Sequence, residues 1–218
     1  MQVVNIAVRR KCLYAITLDP PPPEGLEGAE YEGQNILVDK TILSRCDIKK
    51  GTQLNLDELK SLCLVSESYR AKNKAIWYLS RTDYSEKFLY DKLRRTFSQK
   101  ASAFAVQQMV KKGYVNDEKY ANAQILKLKA KNASLNEIKQ KLFLKGVSKE
   151  VFEPLLNQQD ILLGDYDRLL AVIDSKYKNK ILDEEGRRKT AQALRRKGFS
   201  FSDINKALKS FDMDEEIF

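Results

Sequence analysis

Leu89-Tyr90-Asp91-Lys92-Leu93-Arg94-Arg95-Thr96-Phe97-Ser98, Ile138-Lys139-Gln140-Lys141-Leu142-Phe143-Leu144-Lys145-Gly146-Val147-Ser148 and Thr190-Ala191-Gln192-Ala193-Leu194-Arg195-Arg196-Lys197-Gly198-Phe199-Ser200 follow one grammar. Each is an apolar-spaced helix that ends in cations and is followed by a serine. Leu93, Leu142 and Leu194 are 49 and 52 positions apart. A period of that length holds three short helices, and periodic self-similarity points to a repeat architecture. Upstream of each stretch lies a second apolar stripe: Ala75, Ile76 and Leu79; Tyr120, Ala121, Ile125 and Leu128; Leu169, Leu170, Ile173 and Tyr177. Lys145-Gly146 and Lys197-Gly198 read as helix ends, with glycine in the left-handed conformation and lysine at the negative end of the dipole. Ser148 and Ser200 read as N-caps of third helices. The first unit lacks this glycine, so its second helix ends by other means. Gly113 closes its third helix and Asp117 opens the next unit. No unit alone is expected to bury its stripe, so stacking is expected to build one extended core.

Residues 1–66 read differently. Val4, Ile6 and Val8 alternate with polar positions, as does the run from Leu13 through Leu18, which predicts two strands around a turn at Arg9-Arg10-Lys11. Pro20 to Pro23 stop regular structure, and 19–34 reads as a long exposed loop. Ile36 to Val38 predict a third strand, Lys40 to Arg45 a short helix, Lys49-Lys50-Gly51 a turn, Leu54 the end of a short strand, and Asp57 the cap of a helix ending near Leu64. The fold expected is mainly α: a small α/β module over 1–66, then three-helix repeats over 67–116, 117–158 and 159–218, stacked into an elongated, curved body. The repeats are expected to fold without residues 1–66.

Charge is divided along the same line. Residues 1–66 carry 8 Lys/Arg against 9 Asp/Glu, 67–211 carry 31 against 17, and 212–218 carry four acids and no base. A basic helical body with an acidic tail points to a polyanion or an acidic protein surface as partner. Lys92, Arg94 and Arg95, then Lys139, Lys141 and Lys145, then Arg187, Arg188, Lys189, Arg195, Arg196 and Lys197 recur on the second helix of each unit, which suggests one continuous basic face. The aromatics Trp77, Tyr78, Phe88, Phe97, Phe104 and Phe199 read as core packing, while Tyr84, Tyr90 and Tyr114 are candidates for partial exposure. No alternation of rings and cations typical of a strand-stacking surface stands out.

The chain has no histidine, so an ordinary nucleophile–histidine triad is ruled out. There is no GxxxxGK[ST] phosphate loop, and GxxG at 25–28 lies in an acidic, proline-led segment. Asp117-Glu118 and Glu184-Glu185 fall at helix starts, where the dipole explains them. Neither catalytic residues nor a metal or cofactor site is expected. Cys12, Cys46 and Cys63 form no CxxC pair and suit reduced thiols. With no apolar run of membrane-spanning length and no signal-peptide pattern, a cytoplasmic protein is the expectation.

Ala75-Ile76-Trp77-Tyr78-Leu79-Ser80-Arg81-Thr82-Asp83-Tyr84-Ser85, followed by Leu89-x-x-Lys92-Leu93, resembles the first repeat of RecX-family proteins. Lys112-Gly113-Tyr114-Val115-Asn116-Asp117-Glu118-Lys119-Tyr120-Ala121 resembles that family's Gly-Tyr-Leu-Asn-Asp-Glu-Arg-Phe-Ala stretch. Lys145-Gly146-Val147 and Arg195-Arg196-Lys197-Gly198-Phe199 resemble its later helix-end elements. The resemblance spans about residues 70–211, and residues 36–64 resemble the extension of longer members. It implies a monomeric regulator, mainly an inhibitor, of the recombinase RecA in DNA repair, recombination and the SOS response. Such a protein lodges in the groove of the RecA–DNA filament, restrains filament extension, ATP turnover and strand exchange, and binds single- and double-stranded DNA weakly. A helical-repeat DNA binder with no particular tie to RecA is the alternative reading. The proline-led 19–34 segment and the missing glycine of unit one depart from the family pattern.

The purified chain is expected to hydrolyse no nucleotide. Turnover above that of a mock preparation would defeat this expectation.

Overall fold

The computed structural model describes residues 1–10, 12–158 and 164–213, without the side chains of 158, 212 and 213. Lys11 of the expected turn, residues 159–163 at the start of the third repeat and residues 214–218 of the acidic tail lie outside what is described. The chain divides into two compact units, Met1–Asn116 and Asp117–Phe218.

The first unit opens with strands β1 (Gln2–Arg10), β2 (Leu13–Asp19), β3 (Glu30–Glu32) and β4 (Asn35–Asp39), all antiparallel in the order β1-β2-β4-β3. The strand β1 runs through Arg9 and Arg10, where the sequence suggests a turn. Asp39 ends β4 and caps helix α1 (Lys40–Arg45) by accepting from the Thr41 amide at 2.8 Å. In place of a strand end at Leu54 there is a single bridge between Gln53 and Gln2. Segment 19–34 is not a free loop. It contains β3, and Gly28 sits so close to α2 (Leu56–Leu79) that a Cβ would lie 3.1 Å from the Leu64 Cα. Lys100 pairs with Glu27 at 2.8 Å and Arg70 pairs with Glu30, so acids of the segment meet bases of the helical part.

Helix α2 corrects the expected helix end near Leu64: it continues unbroken to Leu79. Its cap is Asn55, not Asp57. The Asn55 Oδ1 accepts from the Glu58 amide at 2.9 Å, and Glu58 Oε2 accepts from the Asn55 amide at 2.8 Å. Asp57 instead adds negative charge to the first turn. The helix changes partners along its length. Leu59, Leu62 and Cys63 pack with Val3, Ile16, Ile36 and Val38 of the sheet, and burial pushes the Cys63 thiol up to about 11. Ala71 and Ala75 pack with Leu89 and Leu93 of α3 (Glu86–Arg94) and with Ala101, Ala105 and Met109 of α4 (Gln99–Lys111). Residue 66 therefore marks a change of packing partner rather than a break in the chain.

Two buried polar residues hold this changeover. Ser66 Oγ accepts from the Asp39 amide at 2.9 Å. The Glu67 carboxylate accepts from both the amide and the hydroxyl of Ser98, each at 2.6 Å. Ser98 is in turn the N-cap of α4. Without a glycine, α3 stops where the Thr96 and Phe97 amides both return to the Leu93 carbonyl, and Arg94 donates to the Phe97 carbonyl.

The second unit holds α5 (Asp117–Lys129), α6 (Leu135–Leu144) and α7 (Lys149–Gln158), then α8 (Asp165–Lys176), a 3-10 turn at Lys178–Lys180, α9 (Glu184–Arg196) and α10 (Phe201–Met213). Gly113, Gly146 and Gly198 follow helix ends with φ of 71°, 78° and 90°. Repeats two and three do not share one extended core. Tyr120, Ile125, Ile138, Leu142, Phe152 and Leu156 form one cluster, and Leu169, Ile173, Leu194, Phe199, Ile204 and Leu208 form another. Three helices of this length close around their own apolar centre, which leaves the joint between these repeats polar.

Glu67→Ala is expected to lower stability by about 2–3 kcal/mol, because it strands two donors of Ser98 and removes a charge-assisted pair of bonds. Denaturant unfolding of the two proteins measures it; a loss under 0.5 kcal/mol would mean that Ser98 finds other partners.

Candidate functional site

The recurrent cations stand at comparable places. In repeat one, Lys92 and Arg94 are in the last turn of α3 and Arg95 is its C-cap. In repeat two, Lys139 and Lys141 lie on α6 and Lys145 caps it. In repeat three, Arg187 and Arg188 lie early on α9, Arg195 and Arg196 in its last turn, and Lys197 at its cap. Some have local work. Lys141 pairs with Glu137, Lys189 with Glu185 at 2.7 Å, and the Arg187 Nε donates to the Ile181 carbonyl at 2.7 Å. Arg95, Arg188, Arg195 and Arg196 are exposed, and their side chains have no hydrogen-bond or ion-pair partner among the described residues. Helix geometry divides the set further. Arg188 and Arg195, seven residues apart, share a side of α9, and Lys141 and Lys145 share a side of α6, while Lys139 is turned about 200° from Lys141.

Within the second unit the two basic helices meet end to end. The Ser134 hydroxyl, N-cap of α6, accepts from the Glu137 amide at 3.1 Å and donates to the Lys197 carbonyl at 2.6 Å. Asn136 Nδ2 donates to the Gly198 carbonyl at 2.8 Å. A Cβ on Gly198 would fall 2.8 Å from the Ser134 Oγ and 3.0 Å from the Asn136 Cβ, so the close approach requires glycine there as well as the positive φ. The carbonyl end of α9 thus answers the amide end of α6, and opposite dipole ends face each other. Beside this joint, Asp165 accepts from the Leu135 amide at 2.9 Å and from Arg168 at 2.9 Å, and the buried Arg168 Nε donates to the Ala133 carbonyl at 3.1 Å. The joint carries Arg195, Arg196 and Lys197 up to the start of α6, with Lys139, Lys141 and Lys145 farther along that helix.

The aromatic side chains depart in part from the core packing expected of them. Phe199 is buried, and Tyr78 and Phe97 pack partly against their core. Trp77, Phe88 and Phe104, however, expose 43%, 40% and 43% of their surface. Trp77, Tyr78, Tyr84 and Phe88 form a run of ring contacts with centroids 5.2, 6.1 and 5.9 Å apart. Lys74 Nζ stands 4.1 Å and Arg81 Cζ 3.9 Å over the Trp77 ring. Lys92, counted above only as a surface cation, lies over Tyr78 and Tyr84 at 5.0 and 5.2 Å. The signal in the sequence was Lys74 and Trp77 at i, i+3, on one side of α2, with Arg81 following two residues past its end.

No group of three or more His, Cys, Asp or Glu is gathered in metal-binding fashion among the described residues. The groove of about 600 Å³ lined by Cys46, Ile48, Gln53, Asp57 and Val65 is open, and its Glu58 is engaged in capping. No helix among the described residues is long and apolar enough to cross a membrane.

Residues 164–208 match the family model of the third three-helix domain of RecX. A regulatory protein RecX from Caldanaerobacter subterraneus subsp. tengcongensis is 30% identical over 162 residues, covering 74% of this chain and 80% of the relative. One from Streptococcus gordonii is 27% identical over 218 residues, covering 99% and 79%. A crystal structure of regulatory protein RecX superposes with a TM-score of 0.61 at 20% identity, over 96% of this chain and 98% of that one. RecX from Lactobacillus salivarius does so with a TM-score of 0.57 at 20% identity, over 68% and 99%. At such identity the two structures speak to the fold alone.

Ser134→Ala is expected to cost about 1–2 kcal/mol, since it removes a helix cap and leaves the Lys197 carbonyl without its donor. Thermal unfolding checks this, and an unchanged midpoint would show that the joint does not depend on the hydroxyl.

Proposed function

Because the chain belongs to the RecX family of regulatory proteins, we propose that it is a non-enzymatic regulator of RecA, mainly an inhibitor. It binds in the groove of the RecA–DNA filament and restrains filament extension, ATP turnover and strand exchange. The observation that carries this reading is the recurrence of exposed cations on the second helices α3, α6 and α9, joined end to end in the second unit. Recurring contacts of one kind suit a partner that itself repeats, and several weak contacts made at once raise avidity without any strong one. In this reading the chain acts as a cytoplasmic monomer, with DNA as a weak, secondary ligand. The three-helix repeats 67–116, 117–158 and 159–218 are its contact units.

The decisive measurement is capture of RecA by the immobilised chain, with and without single-stranded DNA and a nucleotide that supports filaments. Retention that rises with filament formation, together with reduced RecA ATP turnover, is the expected result. Retention of DNA alone, with RecA turnover untouched, would favour a helical-repeat DNA binder.

Reversing charge at Arg195, Arg196 and Lys197 together is expected to weaken filament and DNA binding while leaving the fold intact. Arg195 and Arg196 are exposed, and Lys197 meets Ser134 through its backbone carbonyl, which the substitution keeps. If these side chains neutralise phosphates, log affinity against log salt flattens by roughly 0.7–0.9 per lost contact. An unchanged slope with lower affinity assigns the cluster to protein. A folded variant that binds both partners as before leaves it a solvated surface.

A further inference from the structure

We propose that the ring cluster Trp77, Tyr78, Tyr84 and Phe88 is a stacking site for unpaired bases of a single-stranded nucleic acid, with Lys74, Arg81 and Lys92 meeting its phosphates. The site lies wholly in the first unit, and it does not rest on the recombinase reading.

Trp77 leaves 43% and Phe88 40% of its surface in solvent, at the end of one helix and the start of the next. Packing does not account for them, because Leu89, Leu93, Ala71 and Ala75 already fill that core. Tyr84 and Phe88 lie nearly parallel, with planes 12° apart and centroids 5.9 Å apart, so Phe88 extends a stack that a further flat ring can continue. Arg81 Cζ stands 3.9 Å from the centroid of the Trp77 indole, and a guanidinium is itself a flat group on which bases stack. The three cations are gathered at the ring faces, and none is paired with a carboxylate among the described residues.

Cation–π contacts alone would steady this helix junction, and at exposed sites each contributes about 0.5–1 kcal/mol. That role does not call for a tryptophan and a phenylalanine left half open. An acidic protein segment would use the cations but has no need of parallel rings. A duplex keeps its base faces inside its own stack. A flexible single strand uses both features, rings for bases and cations for phosphates.

Trp77 is the only tryptophan in the chain, so its emission reports on this site alone. The full-length protein is titrated with oligothymidylate, with oligouridylate, with duplex DNA and with inorganic polyphosphate as a base-free polyanion. Saturable quenching by the two single strands, and not by polyphosphate, is the expected result. Phe88→Ala is expected to weaken oligothymidylate binding roughly ten-fold with an unchanged salt slope, whereas Arg81→Ala reduces the slope by about 0.7. The proposal fails if Trp77 emission stays constant while a labelled oligonucleotide saturates the protein, if no oligonucleotide binds, or if polyphosphate quenches equally. It also fails if Phe88→Ala keeps its helical circular dichroism and binds oligothymidylate like the unmodified chain. A variant that loses only a protein partner makes the patch a protein contact instead. Should Phe88→Ala not fold, the emission of the unmodified chain decides.

Discussion

A helix cannot satisfy its own first amides or last carbonyls, and in this protein those loose ends are where packed parts are tied together. Glu67, buried mid-way along α2, answers the start of α4 through Ser98. The end of α9 answers the start of α6 through Lys197 and Ser134. In the second unit each cluster of apolar side chains closes within its own helices, and in the first α2 serves two clusters in turn, with polar joints at the changeovers. A charge-assisted bond in a shielded place contributes about 1.5–3 kcal/mol, comparable to burying one large apolar side chain. Unlike that burial, it fixes a direction.

The repeat pattern was legible because it is written in short-range chemistry. Lys-Gly ends, Ser caps and apolar stripes act within a few residues, and Gly146, Gly198, Ser148 and Ser200 take the places their neighbours dictate. What was not legible depends on partners far along the chain. The sequence suggests a helix end near Leu64, yet α2 runs on through Ser66 and Glu67, whose partners Asp39 and Ser98 lie 27 and 31 residues away. Segment 19–34 reads as a loop, yet Tyr31 donates to the Pro23 carbonyl and bases on α2 and α4 meet its acids. The three-residue strand β3 exists only because β4 pairs with it.

The candidate site divides in the same way. The basic residues and their recurrence are visible in sequence, since charge counts and spacings need no fold. Which of them are committed to local bonds is not visible: Arg187 holds a backbone carbonyl, Lys92 sits over two tyrosine rings, and Arg95 is left open. Hydrophobicity also misassigns Trp77 and Phe88 to the core. Large rings at apolar spacing are usually buried, but an adjacent alanine face has already filled the interior here.

The helix dipole sets a limit on the simplest account of the basic surface. Arg195 and Arg196, in the last turn of α9, gain from the negative helix end wherever the protein works. Arg188 has no such return. It lies near the start of the same helix, where the dipole has the opposite sign, and it is exposed with no partner among the described residues. Its one local inducement is its register with Glu184, four residues back on the helix. Yet Arg188 falls two turns from Arg195 on one side of the helix, about 10 Å along the axis. Helix-end chemistry accounts for Arg195 and not for Arg188.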